Sequence, residues 1–247
     1  MAKSFHEAVT ELCVDPNWEK PHLIRYKMTY NYLNNRGLLP DAPILDIGGP
    51  SPFRAALKAC GREVHDTGEA DLRYCFASNV HHKGGLYRLI IALEVLEHLA
   101  DQEVQRELPP YTKDENGQDW LDRRATFRGT GQLNFLSECR KILAPGGVLV
   151  LSTPNPNGWC CLNHHLQGRP VAMWRPHVRE VNQWEVQDLA QRAGLVVKHW
   201  EGQDCWPQLA GNDKQWRAKM AAHMAGGIIR EDCIIYTLAP AQEGGAV

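Results

Sequence analysis

The 247-residue chain has no run approaching 18 consecutive apolar residues, so no membrane-spanning helix is expected. Its opening segment, MAKSFHEAVTELC, lacks the long apolar core of a secretory leader. None of the eight cysteines stands in a C-x-x-C pair: Cys13, Cys60, Cys75, Cys139, Cys160, Cys161, Cys205 and Cys233 are scattered across the expected strands and helices. Free thiols in a cytoplasmic, reducing setting are therefore expected. A basic excess is missing too. The formal net charge is −2, which gives no clear signal for a nucleic-acid or membrane partner. For Arg123, Arg124 and Arg128, a solvated face and a local patch both stay open. There is no internal repeat. With 43% apolar and 23% charged residues, the composition is that of an ordinary folded protein.

What is present is alternation. Residues 1–42 read as a helical lead-in, with Leu23, Tyr26, Tyr30 and Leu33 at helical spacing and Gly37 as a stop. "APILDIGG" reads as a short strand and glycine turn, "FRAALKACG" as a helix, and "REVHD" as a second short strand. Leu89–Leu93 reads as a buried central strand, and "EVLEHL" as a turn opening a helix. In "GQLNFLSECRKILAPGG", Leu133, Leu136, Cys139, Ile142 and Leu143 share one helix face, and Pro145-Gly146-Gly147 stops it. "VLVLSTPN" is the next strand, "NQWEVQDLAQRAG" a helix capped by Asn182, and "LVVKHWEG" and "CIIYTLAP" are late strands. Strands alternating with helices over 43–200 predict an α/β fold with a mostly parallel sheet covered on both faces. One domain over 43–240 is expected, with insertions at about 103–128, 154–180 and 203–232.

The first strand ends in Asp46-Ile47-Gly48-Gly49. In open α/β sheets, ligands bind beyond the carboxyl ends of strands, where glycine lets the backbone come close. An acid before the glycines disfavours a pyrophosphate and suits a cation, such as a sulfonium carrying an α-ammonium group. Asp66, at the end of the second strand, can accept from two ribose hydroxyls, and Asp71, opening a further loop, from an adenine amine. Each acid alone is equally a turn residue or a helix cap.

Five segments in order, "ILDIGG", "ADLRY", "LIIALEVLEHLAD", "LSECRKILAPGGVLVLSTPN" and "PHVREVNQWEVQDLAQRAGL", make residues 43–200 resemble a class I S-adenosylmethionine-dependent methyltransferase. The resemblance implies a Rossmann-like three-layer fold whose seven-stranded sheet ends in an antiparallel strand. It implies S-adenosylmethionine as cofactor, held by Asp46, Gly48, Gly49, Asp66, Asp71, Leu93 and Glu94. The family's first motif reads acid-x-Gly-x-Gly-x-Gly, whereas this chain has Pro50 and Pro52 at the second and third glycines. Pro50 cannot donate a hydrogen bond, and Pro52 suits the first turn of a helix. A stiffened cofactor turn is the expectation, with Gly49 restoring some freedom.

Methyl transfer from a sulfonium needs an aligned acceptor and, for an oxygen acceptor, a base or a metal. If "EVLEH" is helical, Glu94, Glu97 and His98 share a face. His98 is then a packing residue, a general base or, with Glu94, Glu97 and His177, a divalent-metal ligand of the kind similar segments suggest in relatives. The preferred reading assigns no metal and makes His98 and His177 the catalytic candidates. Trp159, Trp174, His177 and Arg179 are candidates to wall an acceptor pocket. "CCLNHH" lacks the spacing of a zinc site. Residues 103–128 read as an acceptor-selecting flap or a solvated excursion. The expected acceptor is a small or sugar-like molecule methylated at oxygen. A metal-assisted RNA 2′-O-methyltransferase and a non-catalytic scaffold are the alternatives.

Overall fold

Successive residues of the central strands are buried against two different cores in alternation, and this decides the architecture. β1 (Ile44–Ile47), β2 (Val64–His65), β3 (Tyr87–Leu93), β4 (Leu143–Pro154), β5 (Leu195–Gln203) and β6 (Cys233–Pro240) form one sheet in the order β2-β1-β3-β4-β6-β5. The structure is a computed structural model that describes residues 3–17, 19–68, 70–73, 76–78, 80, 86–99, 130–169, 177, 179–206, 213–223, 226 and 228–241. β1 runs parallel to β2 and β3, and β3 to β4, while β6 is antiparallel to both β4 and β5. The last strand is thus antiparallel, as expected. Six strands, rather than seven, stand among the described residues.

The helices are α1 (Phe5–Leu12), α2 (Glu19–Asn35), α3 (Pro52–Ala59), α4 (Thr130–Ile142), α5 (Trp159–Leu166), α6 (Gln183–Arg192) and α7 (Lys214–Ala221). Leu45, Ile90, Leu149 and Tyr236 face a core built with Phe135 and Leu136 of α4 and Val186 and Leu189 of α6. Their chain neighbours Ile44, Leu89, Ile91, Val150 and Ile235 face the opposite core, with Phe5, Tyr26, Leu33, Phe53 and Leu57 of α1, α2 and α3. Each fully buried Leu or Ile contributes about 1.5–3 kcal/mol of transfer free energy, so strands apolar on both faces hold both helix layers at once. The helical lead-in is integral to the second layer: Phe5 stacks on Tyr30 at 4.1 Å and meets Phe53 edge-on at 5.3 Å. Gly37, at φ 63°, follows α2 as the expected stop.

Two local expectations are corrected. "EVLEHL" does not open an α-helix; only a short 3-10 turn, Leu96–His98, follows β3. Pro145-Gly146-Gly147 does not merely end α4. The helix passes straight into β4 at Leu143, which pairs with Tyr87, and the next pair is Leu89 with Val148. The chain therefore bulges at 144–147 within the strand. A Cβ on Gly147 would lie 2.7 Å from the Tyr87 carbonyl oxygen and 2.9 Å from that of Ala144, so only glycine fits.

Gly147→Ala is expected to destabilise the fold by about 1–3 kcal/mol, because the obstructing atoms are backbone. Gly49→Ala, where nothing lies within 4 Å of the added carbon, is expected to stay within about 0.5 kcal/mol. Urea denaturation checks both, and equal midpoints would contradict the bulge geometry.

Candidate active site

From β1 the chain crosses to β2 on one side and returns through β3 on the other, so a crevice opens where the carboxyl ends of β1 and β3 part. A cavity of about 510 Å³ lies there, bounded by Asp46 to Ser51, by Leu93 to Val95, and by α2. That volume suits a nucleoside-sized ligand. Gly48 has φ 130°, a value that side chains disfavour, and a Cβ there would meet Val95 Cγ2 at 3.5 Å. Gly49 needs neither a positive φ nor close clearance. Ser51 caps α3, its Oγ accepting from the Arg54 N–H at 3.2 Å, and Pro52 begins that helix. Pro50 lines the cavity.

Asp46 shares the face of Ile44, towards α3, and there meets Arg54. The guanidinium donates to Asp46 Oδ2 at 2.8 Å, to Asp66 Oδ2 at 3.0 Å, and to the carbonyls of Asp46 at 3.0 Å and Gly48 at 2.8 Å. Burial pushes the Asp46 carboxyl up to about 6, against the pull of Arg54. Asp66 also accepts from the Gly68 N–H at 3.0 Å. Asp66 and Asp71 do not line the cavity; Leu72 does. Asp71 is engaged by its neighbour Arg73, whose Nε and Nη2 reach its two oxygens at 2.8 and 2.5 Å. That bond, against the upward push of slight burial, holds Asp71 below the usual carboxylate range.

Glu94 follows β3 at φ 55°, the one non-glycine with positive φ among the described residues. Such a conformation costs about 1–3 kcal/mol and persists only where its surroundings enforce it. Ser152 Oγ at 2.8 Å and Cys233 Sγ at 3.0 Å donate to Glu94 Oε1. The sharp turn sends Glu94 into the cavity wall with Arg25 3.8 Å away, and sends Glu97 the other way.

Glu97 is fully buried. Thr153 donates to its Oε2 at 3.2 Å, and its Oε1 has no hydrogen-bond partner among the described residues. Burial, then the charge of Glu94, raises Glu97 well above the ordinary carboxyl range. His98 Nε2 lies 3.8 Å and His177 Nε2 4.0 Å from Glu97 Oε1, and the two rings meet edge-on at 5.0 Å. His177 Nδ1 is bound to Glu180 Oε1 at 2.6 Å, which leaves Nε2 pointing towards the cluster. His98 and His177 both line the cavity. Burial, then His177, lowers the His98 pKa. One ligand atom each from Glu97, His98 and His177 lie within 4.8 Å of one another, a mixed carboxylate and imidazole set that could hold a divalent cation. Glu94 lies outside that cluster.

A family model described as a methyltransferase domain matches residues 18–199. The chain belongs to the methyltransferase-domain family. A curated relative named "Probable S-adenosylmethionine-dependent methyltransferase", from Mycolicibacterium smegmatis, is 37% identical over 67 residues, 27% of this chain; the aligned part spans 24% of that relative's length. The fold resembles the CcbJ methyltransferase from Streptomyces caelestis, with TM-score 0.51, 13% identity, and coverage of 98% of this chain and 100% of that one. It also resembles a SAM-dependent methyltransferase from Archaeoglobus fulgidus, with TM-score 0.50, 14% identity, and coverage of 91% and 99%. The architecture is that of the class I methyltransferases.

Within this methyltransferase domain, the structure gathers Asp46, Gly48, Gly49, Leu93, Glu94, His98 and His177 around one cavity and leaves Asp66 and Asp71 outside its lining. Trp159 packs edge-on against Trp216 at 5.8 Å and does not line it. Arg179 pairs with Glu185 at 2.5 Å, and its N–H donates to the Glu97 carbonyl at 3.2 Å, so it braces the turn from behind. Trp174 and the 103–128 segment lie outside the described residues. In "CCLNHH", burial pushes the Cys160 thiol up to about 11, which disfavours the thiolate a zinc site needs. Sequence reasoning missed Arg25, Arg54 and Trp206. The clue to Arg25 was its place on the helical stripe Arg25, Tyr26, Thr29, Tyr32 and Leu33, all buried.

Arg54→Met should cost about 3–5 kcal/mol in urea unfolding, because it leaves Asp46 buried without its cation. The double variant Arg54→Met, Asp46→Asn should recover part of that loss. Additive effects of the two substitutions would contradict the pairing.

Proposed function

We propose that the chain transfers a methyl group from S-adenosylmethionine to a hydroxyl oxygen of a small or sugar-like acceptor. The observation that carries this reading is the cavity at the parting of β1 and β3, which the Gly48 turn, Glu94 and His98 line together. When bound, the donor supplies an electrophilic methyl group on a positively charged sulfur. Gly48 and Gly49 let the backbone approach it, while Leu93 and Leu72 exclude water. Asp66, whose carboxylate keeps lone pairs beyond those used by Arg54 and Gly68, is proposed for the ribose at the rim. His98 takes the proton of the acceptor hydroxyl at Nε2 or Nδ1. Its lowered pKa keeps it neutral and able to accept at neutral pH. His177, fixed by Glu180, and buried Glu97 hold the His98 ring. Residues 43–240 are proposed as the catalytic domain, with 1–42 as its helical lead-in. Seven of the eight cysteines are among the described residues and are free thiols, in keeping with a reducing, cytoplasmic setting. Among the described residues no helix is long and apolar enough to cross a membrane.

One atom favours a second reading. Glu97 Oε1, buried and without a hydrogen-bond partner among the described residues, is suited to a divalent cation shared with His98 and His177. Such a cation would lower the pKa of an acceptor hydroxyl directly.

The readings separate in an assay of S-adenosylhomocysteine release over a panel of hydroxylated acceptors. His98→Ala should lower turnover by about 10²–10⁴-fold and leave donor affinity unchanged, as for a lost general base. Full activity in that variant would return His98 to packing. Under the first reading EDTA has no effect; activity lost to EDTA and restored by Mg²⁺ or Mn²⁺ would instead establish the cation.

A further inference from the structure

His98 and His177 come from distant parts of the chain, one on the turn Leu96–His98 after β3 and the other on the segment leading into α6. Their rings meet edge-on at 5.0 Å. Among the described residues one backbone hydrogen bond joins the two segments, from the Arg179 N–H to the Glu97 carbonyl at 3.2 Å. A single bond is a hinge, about which the segments can pivot and carry the imidazoles apart.

Gln132 supplies the further ties. It stands in the first turn of α4, fully buried, three residues before Phe135 and four before Leu136, which anchor that helix in the core. Its Nε2 donates to the Leu96 carbonyl at 2.9 Å and, at the longer distance of 3.4 Å, to the Arg179 carbonyl. Leu96 belongs to the His98 turn and Arg179 to the His177 segment. An amide nitrogen has two protons, one for each segment. The partners fix its orientation: both are acceptors, so the reversed amide would set its oxygen against two carbonyls. The amide oxygen is buried and has no hydrogen-bond partner among the described residues. An apolar side chain of that length would avoid the cost of burying that oxygen, so what the amide contributes is its pair of donors.

We propose that Gln132 is a positioning residue for the histidine pair. Its amide, held by α4, sets the separation of His98 and His177 and thereby the place where an acceptor hydroxyl meets His98. Gln132 does not line the cavity, so it acts through the rings. The inference rests on the reading of His98 as the base. A base misplaced by about 1 Å loses up to about 10²-fold in rate, so bonds behind the ring govern turnover without governing donor affinity.

Kinetics, calorimetry and NMR on the full chain test this. Gln132→Met keeps the length and loses both donors. Gln132→Asn keeps the amide and draws it back by about 1.5 Å, one C–C bond, beyond hydrogen-bond reach of Leu96, and serves if the first variant does not fold. Each should lower kcat by about 10- to 100-fold, leave the affinity for S-adenosylhomocysteine within about twofold, and abolish the nuclear Overhauser contact expected between the two imidazole rings of the wild type. In a His98→Ala background, Gln132→Asn should cost less than about threefold more. Unchanged kcat, a loss of donor affinity matching the loss of kcat, a ring contact that persists in the variants, or an undiminished effect in the His98→Ala background would each overturn the assignment. Full activity in His98→Ala alone would instead remove the base reading, and the ring contact would still report whether Gln132 spaces the pair.

Discussion

The guanidinium of Arg54 is the tie on which the cavity depends. It reaches the carboxylates of Asp46 and Asp66 and the carbonyls of Asp46 and Gly48, so one side chain joins the ends of β1 and β2 to the turn between them. Pro50 stiffens the same turn, and Ser51 and Pro52 start α3 so that Arg54 comes back over it. Where a run of glycines would leave the loop mobile, this chain holds it by a buried charge and two rings. One consequence is electrostatic. The negative charge of Asp46 is already answered by Arg54, so Asp46 shapes the cavity more than it attracts a cation. Arg25 and Glu94, 3.8 Å apart, also line the cavity.

Much of the fold was legible because its strands are apolar on both faces and its helices carry plain stripes. Ile44 and Leu45, or Ile90 and Ile91, could only be central strand residues, and Asn182 marked its helix start through the capping box it makes with Glu185. The bulge at Pro145-Gly146-Gly147 was not legible as such, since those residues equally end a helix; only the approach of the Tyr87 carbonyl shows what the glycine is for. "EVLEH" misled for a related reason. Its spacing suits a helix, but Glu94 takes a left-handed turn that Ser152 and Cys233 hold in place from other strands.

The site was legible in its strand-end residues and not in its charges. Gly48, Leu93, Glu94 and His98 follow strands that the pattern located, so their meeting at one crevice follows from the topology. The sequence offered Asp66 for a ribose and Asp71 for an adenine amine; the structure gives each an arginine partner that the sequence did not point to, Arg54 for one and Arg73 for the other. Arg25 belongs to a helix that read as a lead-in, and its approach to Glu94 appears only in the fold, where α2 and the end of β3 line one cavity. Glu97, His98 and His177 form the chemical counterpart: one buried carboxyl, one imidazole oriented by Glu180, and one imidazole at the cavity surface.

The central claim is that this crevice holds an adenosyl sulfonium donor. A crystal structure of the protein grown with S-adenosylhomocysteine tests it most directly. The account predicts density for the nucleoside beside the Gly48 turn, with the thioether sulfur facing the wall of His98 and His177. Density elsewhere on the molecule, or a crevice closed by Pro50 with the ligand absent at saturating concentration, would contradict it.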